Sequence, residues 1–491
     1  MTGRAIRFAR DEDGAIFVFF ILMLAAFLGF IALSFDFGRQ AATQSELQSY
    51  ADNVALAAAG ELDGAPDSMT RAQAAAATFV TDAQTFGDGA RTLAGAGDFT
   101  LTFHANRADA AGGIRPENRP QRARFVRATL VPRRVGGAFS AALSRLSGNP
   151  AGPDRVGAQA VAGFSLHACN ATPLTFCAKD LDFKADLSKG VNMSLTINPG
   201  AGTLVPGTLS LVENTVPLVD LSGVCKALTG INLDLCLLGA RGQKTACLAQ
   251  DGIDIAAGNR LPTIKAGLNV RFDIFAGSSL AHKANPVYAP APNVLSSFAP
   301  RTSTTQCLGN DPVPATDRMG FPTDDCQASG GCGIFGNASW STGRAAFVAK
   351  NFGGNDPFPE ARTRFEFYTA MVNAQANASA NTGGLVGGLL GGVVGTVNNL
   401  LGLGLPNCAP RADPDPNRRV LVAAAIDCSG LSATADLRDV PVLDFVELFM
   451  TQPTGLDGSN TVNVEVIGSL GGPTLPETTD VVLRDVVRLY K

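Results

Sequence analysis

From Ala15 to Phe35 the chain reads AIFVFFILMLAAFLGFIALSF, without one charged residue. At ~1.5 Å per residue a helix over this run spans about 32 Å, matching a hydrocarbon core of ~30 Å. Fourteen of its residues are Leu, Ile, Phe or Val. At roughly −0.3 to −0.6 kcal/mol each, they favour insertion by about 4 to 8 kcal/mol. A transmembrane helix is therefore expected over 15–35. A cleaved signal peptide has a shorter apolar core, ~7–15 residues, and a small-residue site behind it. Leu33-Ser34-Phe35-Asp36 offers no such site, so the anchor is expected to be retained. Arg4, Arg7 and Arg10 precede the run and a lone Arg39 follows it closely. Counting Lys and Arg, residues 1–14 are expected to be a cytoplasmic stub, with the remainder across the membrane.

The helical pattern does not stop at the bilayer. No proline occurs before Pro66, so the helix is expected to run on to about Gly60, roughly 45 residues and ~70 Å in all. Leu47, Ala51, Val54, Ala58 and Leu62 recur at helical spacing and form a stripe suited to burial. Leu56 lies on the opposite face, so the helix is expected to be covered on two sides, by a fully intramolecular core as the better-supported reading or by its own sheet and a partner, and Gly38 is a point at which the helix can swivel. A second helix is expected from Ser68 to Phe86, capped by Asp67 or Ser68. Strand patterns follow at Phe99–His104, Arg124–Pro132 and Val156–Leu166, with a short helix at Ala138–Leu146. From Cys169 onward the chain reads as mostly short strands and loops, the clearest strands being Asn269–Phe275, Val420–Ile426, Val442–Phe449, Val462–Ile467 and Val481–Leu489. Gly383–Leu405 is uncharged, but its nine glycines argue against a second span, since each costs ~1 kcal/mol of helix propensity. It reads as an apolar loop able to touch the bilayer or a partner. The fold class expected is α+β.

Charge and cysteine usage narrow the partners and the compartment. Charged residues make up only 17% of the chain and the net charge is −4, so no basic surface is available for nucleic acid. All ten cysteines, Cys169, Cys177, Cys225, Cys236, Cys247, Cys307, Cys326, Cys332, Cys408 and Cys428, lie on the side expected to be translocated. An even number in an oxidising compartment points to disulfides. Cys169–Cys177, Cys326–Cys332 and Cys408–Cys428 are the local closures expected. No Cys-x-x-Cys occurs, and His104, His167 and His282 are scattered, which argues against a zinc site.

The first 60 residues resemble a known family. An Asp-x-x-Gly-Ala stub end (Asp11 to Ala15) precedes the span, Asp36 and Gly38 follow it, and then come Leu47, Gln48, Ala51, Asp52, Ala55, Leu56 and Ala57 to Ala59. In this order the elements resemble the N-terminal Tad domain of TadE/TadG-like Flp pilus-assembly proteins. Later elements are similar to the TadG-like type: Cys169, Pro173, Leu174 and Cys177; Gly267 to Asp273; Pro322 to Cys326 with Gly336 to Trp340; Arg418 to Cys428; and Val487 to Tyr490. The resemblance implies a pilin-like α+β domain over 36–166 and a mostly β periplasmic domain over 167–491 carrying the 383–405 insertion. It implies an inner-membrane protein that meets other Tad/Flp pilus-assembly proteins, with Asp36, Leu47, Asp52 and Leu56 as helix contacts. Prepilin processing prefers a Glu five residues after the Gly; after Gly14 that residue is Phe19, which argues for an uncleaved anchor.

Catalytic patterns fail one by one. A von Willebrand type A module, present in some TadG-like relatives, needs Asp-x-Ser-x-Ser; Asp427-Cys428-Ser429-Gly430-Leu431 ends in a side chain that cannot ligate a cation. Gly239 to Thr245 has Gln243 where a phosphate loop has glycine. No G-x-S-x-G occurs, and His282 near Ser278 and Ser279 makes no triad by sequence proximity. Trp340, the one tryptophan, reads as a core or turn anchor. No catalytic residue, cofactor, metal or small-molecule substrate is expected. The competing reading is a signal-anchored periplasmic hydrolase acting on carbohydrate or peptide; a third is an adhesin-like surface module.

Overall fold

In the computed structural model the residues described are 13–85, 92–135, 145, 155–198, 200–213, 223–226, 228–242, 247–292, 294–302, 308–382, 413, 415–471 and 481–490. They form two compact units, one of residues 1–165 with 485–491 and one of 166–484. The Gly/Leu-rich stretch 383–405 lies outside the described residues, as does the helix expected at Ala138–Leu146 apart from Arg145.

The first unit is organised by α1, Asp13–Ala59, a single helix of 47 residues. Its span leaves Phe17 to Leu28 largely bare, with Phe20 61% and Phe27 63% exposed. By length and composition it is the one helix among the described residues able to cross a membrane. From Asp36 upward one face is buried: Leu47, Tyr50, Ala51, Val54 and Ala58 are fully covered. They pack against α2 (Ser68–Phe79) and the sheet strand β4 (Phe125–Leu130). The stripe is built of small and branched residues at helical spacing, so two elements can approach α1 closely. Arg71 fixes the turn between the helices, donating to Glu61 (2.9 Å) and Asp63 (2.6 Å) and meeting Asp67.

α2 ends seven residues before the expected Phe86. Val80 is already extended and Thr81–Ala83 (β1) pairs with Thr92–Ala94 (β2); β-branched Val80 and Thr81 favour strand over helix. Asp67 precedes α2 without a side-chain cap bond, because its carboxylate faces Arg71. Phe99–His104 (β3) is antiparallel to β4, and β4 to β5 (Gln159–Cys169). The C-terminal strand Val482–Tyr490 joins β5. Gly163 on β5 is required by a close approach: a Cβ there would sit 2.6 Å from the Phe125 ring and 3.0 Å from that of Tyr490.

The second unit is built on a closed six-stranded barrel. Its strands are β6 (Leu174–Cys177), β7 (Asn192–Ile197), β8 (Thr208–Leu211), β9 (Val420–Ile426), β10 (Val442–Met450) and β11 (Thr461–Ser469), ordered β8-β6-β9-β10-β11-β7. Closure removes every barrel edge. All seven residues of β9 are buried: Leu421, Ala423 and Ala425 face the barrel core, while Val422, Ala424 and Ile426 face a second cluster outside it. Burial on both faces explains an apolar run without alternation.

Two expectations are overturned here. Asn269–Phe275 is not a strand: helix Leu261–Asn269 runs into a 3-10 turn, Val270–Phe272. Ile264, Leu268 and Phe272 face the barrel core one helical turn apart, and this period outcompetes the Val270/Phe272/Ile274 alternation. Neither do Cys169–Cys177 and Cys408–Cys428 form. Cys169 is bonded to Cys247, its direct cross-strand neighbour, and Cys177 to Cys428. Because β6 and β9 are parallel neighbours, with Ile426 opposite Cys177, the end of β9 carries Cys428 to Cys177. Cys326–Cys332 does form, as does Cys225–Cys236; Cys307 and Cys408 lie outside the described residues.

The Cys177–Cys428 bridge joins positions 251 residues apart, so it restrains more of the unfolded chain than the three other disulfides among the described residues. Replacing both cysteines by alanine is expected to cost about 2–5 kcal/mol. A fall in the urea midpoint larger than that given by the Cys326→Ala/Cys332→Ala pair checks this.

A groove on the extramembrane face of the N-terminal helix

Above the span, α1 carries a face that its own unit does not fill. Ala41, Ser45, Gln48, Asp52 and Leu56 follow one another at three- and four-residue steps and line an open groove of about 730 Å³ whose far wall includes Leu489. Short side chains at 41, 45 and 49 keep the helix backbone near the groove surface, as close helix packing demands. Gln48 is held in place: its amide donates to the Asp52 carboxylate at 2.7 Å and to the carbonyl of Gln159 at 3.0 Å. Among the described residues Asp52 is the only charged side chain lining the groove. Below it, Thr43 bonds back to the Arg39 carbonyl at 3.0 Å, and Glu46 accepts from the Thr85 hydroxyl at 2.6 Å.

The four helix residues singled out by sequence are divided by the structure. Leu47 is fully buried. Asp36 is 5% exposed although Phe35 and Phe37 beside it are 67% and 65% exposed. Asp52 and Leu56 are half-buried and both line the groove. The groove therefore unites Asp52 and Leu56 but excludes Asp36 and Leu47. Gln48 and the C-terminal Leu489 were not foreseen as part of it. Gln48 stood within the family-like pattern, but Leu489 lies more than 400 positions away and gave no local signal.

Elsewhere the polar residues considered for chemistry are engaged structurally. His282 stacks on Tyr288 at 4.5 Å, and Ser279 is buried and bonded to Ala276. Trp340 donates to the Arg362 carbonyl at 2.9 Å within an aromatic cluster. Among the described residues no group of His, Cys, Asp or Glu is arranged to hold a metal.

No curated protein and no solved structure matches the chain. The span and the grooved helix above it fall together within one matched stretch: residues 14–61 match the model of the Tad family, described as Putative Flp pilus-assembly TadE/G-like.

Proposed function

We propose that this chain is a non-enzymatic assembly factor, or minor pilin-like component, of the Flp/Tad tight-adherence system (type IVb pilus). It is held in the inner membrane by residues 15–35, with 1–14 in the cytoplasm, a pilin-like domain over 36–166 and a periplasmic domain over 167–491. The observation that carries the reading is the match over 14–61, which coincides with one unbroken helix that is bare and apolar below and grooved above. The bonded cysteines support an oxidising compartment, and the arginines before the span support a cytoplasmic N-terminus. The groove takes a helix of another Tad protein: neighbouring members of such a system share the bilayer, so their helices meet side by side.

Substitution in the groove tests this. Leu56 is half-buried and Asp52 faces the groove, so Leu56→Arg with Asp52→Arg is expected to change stability by less than about 1 kcal/mol while abolishing fimbriae. A strain carrying both changes, with wild-type protein levels and normal fimbriae, would rule the groove out as the docking face.

A further inference from the structure

The second unit buries several arginines, and they are not satisfied in the same way. Arg364 is ion-paired with Asp324 and Glu465. Arg419 is enclosed by aromatic rings, its guanidinium 4.6 Å from Phe272, 4.7 Å from Phe449 and 4.8 Å from Tyr368, and it donates to the Met450 carbonyl. Arg271 and Arg418 have neither solution. Arg271 is 3% exposed and donates to the carbonyls of Arg418 (2.7 Å) and Leu238 (2.8 Å), and its Nε–H meets no acceptor. Arg418 is 5% exposed and donates to the carbonyls of Ala289 (2.7 Å) and Gly239. Neither forms an ion pair among the described residues. Burial and mutual repulsion hold Arg271 well below the ordinary arginine range, and burial pushes Arg418 down to about 10. Asp413 and Asp415 partly offset that shift at Arg418, while Arg271 has only the neighbouring Arg418 charge acting on it.

Both open onto one pocket of about 240 Å³, which also receives Arg241, Thr172 and Asn417. This is well above what a single water needs, and enough for a small anion with part of its hydration shell. Two acids, Asp413 and Asp415, also line the pocket and share its positive charge. Asp413 pairs with Arg241 at 3.2 Å, and the Asp415 carboxylate accepts from the Asn417 backbone N–H at 2.9 Å. Three arginines from three separate elements thus line one pocket: they follow the helix Gly230–Gly239 or lie in the turns Val270–Phe272 and Pro416–Arg419. Planar guanidinium groups recognise pairs of anionic oxygens.

We propose that this pocket is an oxyanion site, binding a phosphate or carboxylate group between Arg241, Arg271 and Arg418, with Asp413 as an internal competitor for Arg241. The site belongs to the second unit and does not depend on the pilus-assembly reading.

The test uses the full chain in detergent micelles. Thermal unfolding and titration calorimetry are run with inorganic phosphate and with acetate, each against sodium chloride at matched ionic strength. Phosphate or acetate is expected to raise the unfolding midpoint where chloride does not. Stabilisation by phosphate alone identifies a phosphate-type ligand, and stabilisation by acetate identifies a carboxylate. Arg241 is half exposed, so Arg241→Ala is expected to keep its fold and weaken anion binding about tenfold. Asp413→Asn, which removes the competitor, is expected to tighten it. The proposal fails if neither anion exceeds chloride, or if Arg241→Ala leaves the affinity unchanged. It also fails if a folded Asp413→Asn protein binds the anion less tightly.

Discussion

Arginine at both Leu24 and Leu28 should remove this protein from the membrane. Each substitution exchanges a favourable contribution of about −0.5 kcal/mol for a cost of about +3 kcal/mol near a helix centre, some 7 kcal/mol for the pair. That cancels the about 4 to 8 kcal/mol by which the whole apolar run favours insertion. The two positions lie one turn apart, and both side chains are exposed in the structure, 45% for Leu24 and 55% for Leu28. No intramolecular packing is lost, so the effect isolates insertion. Wild-type protein should stay with the membrane pellet after alkaline carbonate washing, and the double variant should not. A double variant that remains in the pellet would mean that something other than α1 holds the chain there.

The second large effect is expected at Arg364. Its side chain is fully buried, with Nη2 2.7 Å from Asp324, Nη1 2.9 Å from Glu465 and Nε donating to the Pro322 carbonyl at 2.6 Å. The two carboxylates in turn organise backbone. Asp324 accepts from the N–H groups of Asn192, Asn337 and Ala338, and Glu465 from those of Arg364 and Phe365. One guanidinium therefore joins the barrel strands β7 and β11 to the loop before Trp340 and to the helix Arg364–Thr382. Burial pushes the Glu465 carboxyl above its ordinary range, and Arg364 opposes that shift. Arg364→Met would leave two buried carboxylates without their cation, at a cost of about 3–5 kcal/mol. Against a total stability of about 5–15 kcal/mol this is severe. Denaturant unfolding should show a much lower midpoint for Arg364→Met and an intermediate one for Arg364→Lys, which keeps the charge but loses the fork. Wild-type melting of the methionine variant would contradict this account of the network.

What the sequence disclosed followed from the range of the interactions involved. The helix Asp13–Ala59 was legible almost to the residue because an uncharged run, a missing proline and a helical stripe are all local signals. β9 and β3 were found at their observed bounds for the same reason. The helix Leu261–Asn269 was missed because a three-residue alternation at its end looked like a strand, while its own burial stripe began earlier, at Ile264. Disulfide partners were legible only for Cys326–Cys332, six residues apart. Cys177–Cys428 depends on two barrel strands becoming parallel neighbours, which no local spacing records. The same limit hid Arg364, whose partners lie 40 and 101 positions away, and the groove wall at Leu489.

We propose that the helix matched over 14–61 anchors a component needed to assemble Flp-type fimbriae. The most direct measurement is electron microscopy of a clean deletion strain complemented with either the wild-type gene or the Leu56→Arg/Asp52→Arg gene. Bald cells are expected on deletion, restored fimbriae with the wild-type gene and bald cells with the groove variant. Normal fimbriae on the deletion strain would contradict it.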